Sequence, residues 1–144
     1  MKKTLILFLC LAVLVLSACS QPANPLFDLD HTPQASDTIK IKTEKDSYPS
    51  DIDVIRYSIT NFSDIEQGIA GDSTCFTLLK LEDGVWKRVG TKVEHCWNEI
   101  ALILPNGATE NRVINLNDYF NLPLEKGEYC IEVERNISNT FQIS

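Results

Sequence analysis

The sequence predicts an all-β fold, a sandwich of about seven to nine antiparallel strands, from three observations. After Cys19, apolar residues alternate with polar ones at a period of two, which is typical of half-buried strands. The alternating segments are short, and turn residues separate them at intervals of about 8–12 positions, as in sandwiches. The same part of the chain shows no sustained helical periodicity.

Each predicted strand is bounded by its own turn signal. Asp83-Gly84 is a strong hairpin signal between the third and fourth strands, and Pro105-Asn106-Gly107 turns the chain before the sixth. The fifth strand is apolar throughout, so we expect it to be buried on both faces, and Trp86 of the fourth is expected in the core. A short helical turn is predicted at 117–121. In chain order, the predicted strands are 38–42, 55–61, 75–81, 85–89, 100–104, 113–116, 129–134 and 141–143.

A late segment, LEKGEYCIEV, carries a more specific signal. It places Tyr129 two residues after Gly127, at the start of a predicted strand. In Greek-key sandwiches a tyrosine at this place forms a tyrosine corner, in which the phenol hydroxyl bonds upstream backbone. We therefore expect such a bond from Tyr129.

The first residues have the layout of a secretory signal. Lys2 and Lys3 precede an apolar run at 4–16, which is shorter than the roughly 20 residues that a membrane span needs. The run ends in Leu16-Ser17-Ala18-Cys19, which resembles a bacterial lipobox. We predict residues 1–18 as a lipoprotein signal peptide and Cys19 as the lipidation site, with an extracytoplasmic protein held at the cell membrane or the outer membrane. Two or more acyl chains would anchor it stably.

The next residues predict a flexible linker. Residues 19–37 contain three prolines and few core-like side chains, and the folded domain is expected at 38–144. The segment Asp28-Leu29-Asp30-His31 could suggest a metal site, but we interpret it as part of a solvated acidic linker. Without residues 1–18 the chain has 11 basic and 20 acidic residues, a net charge of −9. This acidity disfavours nucleic acid and anionic lipid as partners.

Several segments together resemble a known family. They are EKDSYPSD, FTLLKLEDGVWKRV, LPNGATE and LPLEKGEYCIEV, in this order. The pattern is similar to the bacterial immunoglobulin-like domains of small lipoproteins and secreted proteins, and it covers about residues 38–144. Pro105-Asn106-Gly107 departs from it, since the family usually has Pro-Gly there. The resemblance implies an immunoglobulin-like Greek-key sandwich in a cell-envelope setting, and it implies no defined activity.

Three disulfide pairings are possible among the cysteines of the predicted mature domain. Cys75, Cys96 and Cys130 remain once Cys10 leaves with the signal and Cys19 carries lipid. We favour Cys75–Cys96, which would tie the loop after the Asp83-Gly84 hairpin to the sheet and leave Cys130 open to alkylation; similar lipoproteins point the same way. Cys75–Cys130 is the geometric alternative, because both residues are out of phase with the core residues beside them.

Residues for catalysis or metal binding are scarce. His95 is the one histidine in the predicted domain, and its neighbour Cys96 would point to the opposite face of a strand, which argues against a Cys–His nucleophile pair. Glu94, Cys96 and Glu99 lack the second ligand pair that zinc sites usually show. We therefore predict no catalytic residue, no metal and no cofactor.

The predicted function is that of a non-catalytic binding or structural module, held at the membrane by its N-terminal lipid. Loops at the ends of a rigid sandwich commonly bind partners. We predict the loop Thr91–Glu99, with His95 and Trp97, as the contact surface, because tryptophan is enriched among binding hot spots. The expected partner is a protein or cell-wall component and not nucleic acid. The alternative is an envelope inhibitor of a protease or lysozyme.

Overall fold

The structure, a computed structural model, describes residues 34–71, 73–93 and 101–144. They belong to a compact unit that spans Thr32–Ser144. The described part contains eleven strands and one short helix, which confirms the all-β prediction; two strands are only two residues long, and the other nine reach the upper limit of the predicted number. In chain order the elements are β1 (Ile39–Thr43), β2 (Ser47–Tyr48), β3 (Val54–Asn61), β4 (Gln67–Ala70), β5 (Thr77–Glu82), β6 (Val85–Arg88), β7 (Ala101–Leu104), β8 (Thr109–Asn115), α1 (Leu116–Tyr119), β9 (Gly127–Val133), β10 (Asn136–Ile137) and β11 (Phe141–Ile143).

Two sheets form the sandwich. One has the strand order β1-β3-β8, and the other has the order β2-β11-β9-β5-β6, with β10 paired to β9. Strands β4 and β7 form a separate antiparallel pair. Strand β9 lies between β11 and β5, so neighbours in the sheet are not neighbours in sequence, as in Greek-key folds. Buried apolar residues of both larger sheets belong to one core, so these sheets pack face to face.

The period-two pattern determines which residues enter that core. In β1, Ile39 and Ile41 are buried and the lysines between them are exposed; in β3, Ile55 and Ile59 are buried in the same way. Burying each such side chain stabilises the fold by roughly 1.5–3 kcal/mol. The largest fully buried apolar side chains are Tyr129, Phe120, Phe141, Ile55, Ile59, Leu78, Ile114, Leu116 and Ile131.

One strand pair differs from the predicted antiparallel arrangement. Strand β2 runs parallel to β11, with Tyr48 opposite Ile143. The reason is that the chain changes sheets between β1, which pairs with β3, and β2, which pairs with β11. Tyr48 secures the crossing, because its buried ring meets Phe141 edge to face with centroids 5.4 Å apart.

The tyrosine corner is confirmed. The Tyr129 hydroxyl donates a hydrogen bond of 2.6 Å to the carbonyl oxygen of Glu125, four residues upstream. The Tyr129 ring is buried and stacks on Phe141 with centroids 6.0 Å apart. The bond therefore ties the segment before β9 to the centre of the core.

Two burial predictions are wrong. Trp86 is half-buried and lies outside the main core, because β6 is an edge strand and Trp86 lies opposite Leu81 on the outer face of its sheet. The predicted fifth strand, now β7, has Ala101 and Ile103 exposed, because its one partner among the described residues is the short strand β4. An apolar run on an edge strand need not be covered on both faces.

The registers define two ends of the sandwich. At the N-terminal end, Gln34 forms a parallel bridge with Asn136, which follows the β9–β10 turn. Asn61, the last residue of β3, lies at this end too, because it pairs with the first residue of β1, and β1 lies beside β10. At the hairpin end lie the Asp83-Gly84 turn and the segment 119–126, since β5 and β9 run antiparallel with Lys80 opposite Tyr129. The ends are about 20 Å apart along the seven residues of β9.

Candidate binding site

Most of the site residues predicted from sequence lie outside the described residues. This applies to Cys19, Cys96, His95 and Trp97. Their predicted roles in lipidation, in the Cys75–Cys96 disulfide and in binding therefore stay predictions. The predicted contact loop is described only at its start, Thr91–Val93.

Next to that start, the structure has an open depression of about 460 Å³ at the hairpin end. We call it the charged depression. One wall comes from the β5–β6 hairpin and the other from the segment 119–126, with Tyr129 between them. Its lining residues are Lys80, Glu82, Lys87, Arg88, Val89, Gly90, Phe120, Asn121, Pro123, Leu124, Glu125 and Tyr129.

An ion-pair network runs across the depression. The Glu82 carboxylate accepts from Lys87 at 3.1 Å and from Lys80 at 3.4 Å, and Lys80 also forms a close ion pair with Glu125. Hydrogen bonds from Lys87 and Lys80 lower the pKa of Glu82, and the hydrogen bond to Glu125 raises the pKa of Lys80. Both shifts favour the charged forms of Glu82 and Lys80.

The β5–β6 turn explains how these charges come together. Asp83 and Gly84 both have positive φ angles, 53° and 78°, as a type I′ turn requires. This turn fixes a register that places Lys80 directly opposite Lys87. Like charges in that position repel, and Glu82 offsets the repulsion by pairing with both.

A glycine allows the second wall to approach the first. Gly127 has a φ of +151°, and a Cβ atom there would lie 3.2 Å from Cε of Lys80. The missing side chain lets Lys80 lie across the start of β9 and reach Glu125. The two walls are thus joined by an ion pair beside the partly buried Tyr129 hydrogen bond.

The predicted contact loop starts at the rim of this depression. Val89 and Gly90 line the depression, and the Val89 amide donates to the Leu78 carbonyl at 2.9 Å. The Lys92 amide donates to the Tyr119 carbonyl at 2.8 Å, which ties the loop to α1. The sequence predicted the loop, which stays a prediction, but it did not predict the depression, because Glu125 and Tyr129 join the site only through the pairing of β9 with β5.

A buried pair lies elsewhere in the sandwich. Tyr57 and Arg112 face each other across β3 and β8 and are both buried. The Arg112 guanidinium donates to the Ala70 carbonyl, which ties β4 to the sandwich. Burial raises the pKa of Tyr57, and the Arg112 charge offsets part of that effect. We interpret the pair as structural.

The described cysteines rule out one pairing and change one expectation. Cys75 and Cys130 are both free. Cys130 lies opposite Leu79, four residues beyond Cys75, a separation of about 13 Å along a strand that no disulfide spans. Cys130 is also fully buried, and burial, with the carboxylates of Glu132 and Glu128, raises its pKa to about 12. Cys130 is thus a free thiol, as expected, but its burial means that alkylation requires the domain to unfold.

The described residues contain neither a metal-binding cluster nor a membrane-spanning helix. Within 34–71, 73–93 and 101–144, no three His, Cys, Asp or Glu side chains are grouped so that they could hold a metal ion. No described helix is long and apolar enough to cross a membrane.

Comparison with known proteins gives a family. A family model described as a bacterial Ig-like domain matches residues 35–142. No curated protein matches the chain. One similar solved structure is that of the Pseudomonas fluorescens alkylpurine DNA glycosylase AlkC, bound to DNA containing an abasic site analog. It is 13% identical with a TM-score of 0.38, and the alignment covers 74% of this chain and 30% of that one.

The structural likeness is too low to support an argument, and the family match does not depend on it. That match spans the strands of both sheets, from before β1 into β11. The sandwich and the tyrosine corner agree with it. The chain belongs to the bacterial Ig-like domain family.

Proposed function

We propose that this protein is a lipid-anchored cell-envelope protein whose Ig-like domain is a non-catalytic binding or structural module. The support for the anchor is the lipobox-like Leu16-Ser17-Ala18-Cys19 after an apolar run. Bacterial Ig-like domains are usually extracellular or at the surface, which agrees with an extracytoplasmic location. Two or three acyl chains on Cys19 would hold the protein stably at a membrane.

The observation that carries the binding function is the position of the charged depression. It lies at the hairpin end, opposite the end at which Gln34 enters the domain. A tether that enters at the N-terminal end would leave the hairpin end free to contact a partner. The Lys80–Glu125 ion pair joins the two walls, and the Tyr129 bond fixes the second wall to β9, so binding there would cost little ordering entropy.

The charges of the depression suggest what kind of partner would fit. Two ammonium groups and two carboxylates lie within one network. A partner with both acidic and basic groups would match this pattern, and such complementarity gives specificity more than raw affinity. A protein surface carries both kinds of group. The loop Thr91–Glu99, with His95 and Trp97, would extend the contact from the rim. Inhibition of a protease or lysozyme is one form that such binding could take.

The anchor is tested by phase partition. Wild-type protein made in a bacterial host is expected in the detergent phase, with an acylated N-terminal residue 19 by mass spectrometry. The Cys19→Ala variant is expected in the aqueous phase. A wild-type protein found in the aqueous phase with an unmodified N-terminus contradicts lipid anchoring.

The binding surface is tested by quantitative capture from envelope extracts. Lys87→Gln is expected to lower the yield of a captured partner about two- to fivefold, as for a charge at the rim of an interface, and added salt should act in the same direction. The control is Lys42→Gln, an equally mild change on the exposed side of β1 in the other sheet. Equal yields from the two variants would exclude the depression. Trp97→Ala should weaken capture without unfolding the domain, and unfolding would show that Trp97 is a core residue.

A further inference from the structure

The N-terminal end carries exposed apolar side chains. Phe62 is 58% exposed and Ile65 is 67% exposed, both just after β3, and Ile103 of β7 is 55% exposed. We call these three residues the apolar tip. Asn61 holds their segments together, since its side-chain amide donates to the Ile65 carbonyl at 2.8 Å and to the Leu104 carbonyl at 2.9 Å. The tip is thus a fixed feature of the fold.

Charged groups around the tip restrict what it can contact. The Lys40 ammonium lies 4.9 Å from the centre of the Phe62 ring, a cation–π arrangement. Lysine beside an aromatic ring suits a membrane interface, where the ring enters the apolar layer and the ammonium stays with the headgroups. Asp64 and Glu66 on either side of Ile65 are exposed and would be repelled by anionic headgroups. A zwitterionic surface fits this pattern better than an anionic one.

The chain from Cys19 arrives at this same end. Gln34 pairs with Asn136 there, and the Phe62 amide donates to the Thr38 carbonyl at 2.7 Å. Fourteen residues separate Cys19 from Gln34. The flexible linker that the sequence predicts here would have a root-mean-square end-to-end distance of about 20 Å. An anchor at Cys19 would therefore hold the apolar tip close to the bilayer.

We infer that the apolar tip rests on the zwitterionic bilayer surface to which the lipidated chain is attached, and that this contact points the charged depression away from the membrane. The inference depends on the proposed lipid anchor. A short tether gives an effective concentration in the millimolar range, so even a weak contact would be occupied. Without the tether the same contact would be scarcely populated.

The test is hydrogen exchange on the full lipidated protein in phosphatidylcholine vesicles, with the Cys19→Ala protein in vesicle-free solution as reference. The amides of residues 62–66 are expected to exchange at least about twofold more slowly in vesicles. The contact slows exchange by a factor of one plus the ratio of the effective concentration of the bilayer surface to the dissociation constant of the contact. The double variant Phe62→Ser/Ile65→Ser should lose this protection. Val85→Ser is the matched control, because Val85 is also 58% exposed and lies at the hairpin end.

The outcomes separate this inference from the anchor itself. Protein that floats with the vesicles but shows no slowing at 62–66 overturns the membrane contact and leaves the anchor standing. Protein that does not float overturns both. Slowing at 62–66 that appears in concentrated Cys19→Ala protein without vesicles, together with a dimer in sedimentation, assigns the tip to a second copy of the chain and overturns the contact with lipid.

Discussion

Strands β9 and β6 belong to the same sheet and differ in almost every respect that matters for stability. Five consecutive residues of β9, Tyr129–Val133, are buried, whereas β6 has Val85, Lys87 and Arg88 exposed. Strand β9 pairs with β5, β10 and β11, while β6 pairs with β5 alone among the described strands. The difference indicates that the fold depends on the central strand, and that the edge strand is free to carry the charges of the depression.

The largest expected effect separates two aromatic residues on these strands. Tyr129→Ala should lower the free energy of unfolding by about 3–5 kcal/mol, since it removes a buried ring and the corner bond to Glu125. Trp86→Ala on β6 should cost less than half as much, because Trp86 is half-buried outside the core. Urea unfolding of both variants measures this. Similar losses would show that the edge strand is as important for stability as the central strand.

Tyr129→Phe isolates the contribution of the hydroxyl group, and it should lower the free energy of unfolding by about 1 kcal/mol.

A second comparison uses the cysteines. A pKa of about 12 leaves Cys130 with roughly a thousandfold less thiolate than an ordinary thiol, and burial blocks access as well. Iodoacetamide at pH 8 should therefore label Cys130 only after unfolding. Cys75 is half-buried and should be labelled in the folded protein once any disulfide to Cys96 is reduced. Peptide mapping distinguishes the sites, and rapid labelling of Cys130 in the folded domain would contradict its burial.

A third prediction concerns the place where the central strand meets the charged wall. Gly127→Ala should cost about 1–3 kcal/mol, because the residue has positive φ and its new methyl group would press on Lys80. Gly90→Ala is the control, since that position has no atom within 4 Å of an added Cβ and no positive φ. Thermal unfolding of the pair measures the difference. Equal stability of the two variants would mean that the walls can separate freely.

Local signals explain what the sequence could predict. The alternation in β1 and β3, the Asp83-Gly84 turn and the tyrosine corner each depend on residues within one short segment. The sequence did not predict strand β2, because its two residues form a strand only by pairing with β11, which is distant in sequence. The same holds for the burial of Cys130 and the exposure of Ile103, which depend on the position of a strand within its sheet and not on its composition.

Local sequence signals were also insufficient to predict the charged depression. Lys80, Glu82 and Lys87 belong to one hairpin, and their closeness could be predicted from its turn. Glu125 is 45 residues from Lys80 in sequence and meets it only because β9 pairs with β5 and Gly127 allows the approach. A register between distant strands has no mark in a single sequence, so the second wall of the depression became known only from the fold.

The smallest expected effect belongs to the ion pairs on the edge strand. The pKa of Glu82 is lowered in the folded state, mainly by Lys87, so the pairing stabilises the fold above the ordinary carboxyl pKa near 4 and loses this effect as the pH falls through the lower folded value. Both side chains are well exposed, so the contribution is small and screened by salt. A double-mutant cycle of Glu82→Gln and Lys87→Gln, measured by urea unfolding, should give a weak coupling at pH 7 that vanishes at pH 2 and in 1 M salt. Lys42→Gln in place of Lys87→Gln should show no coupling at any pH. A coupling that persists in high salt would mean that the edge is as shielded from water as β9, and the contrast between the two strands would not hold.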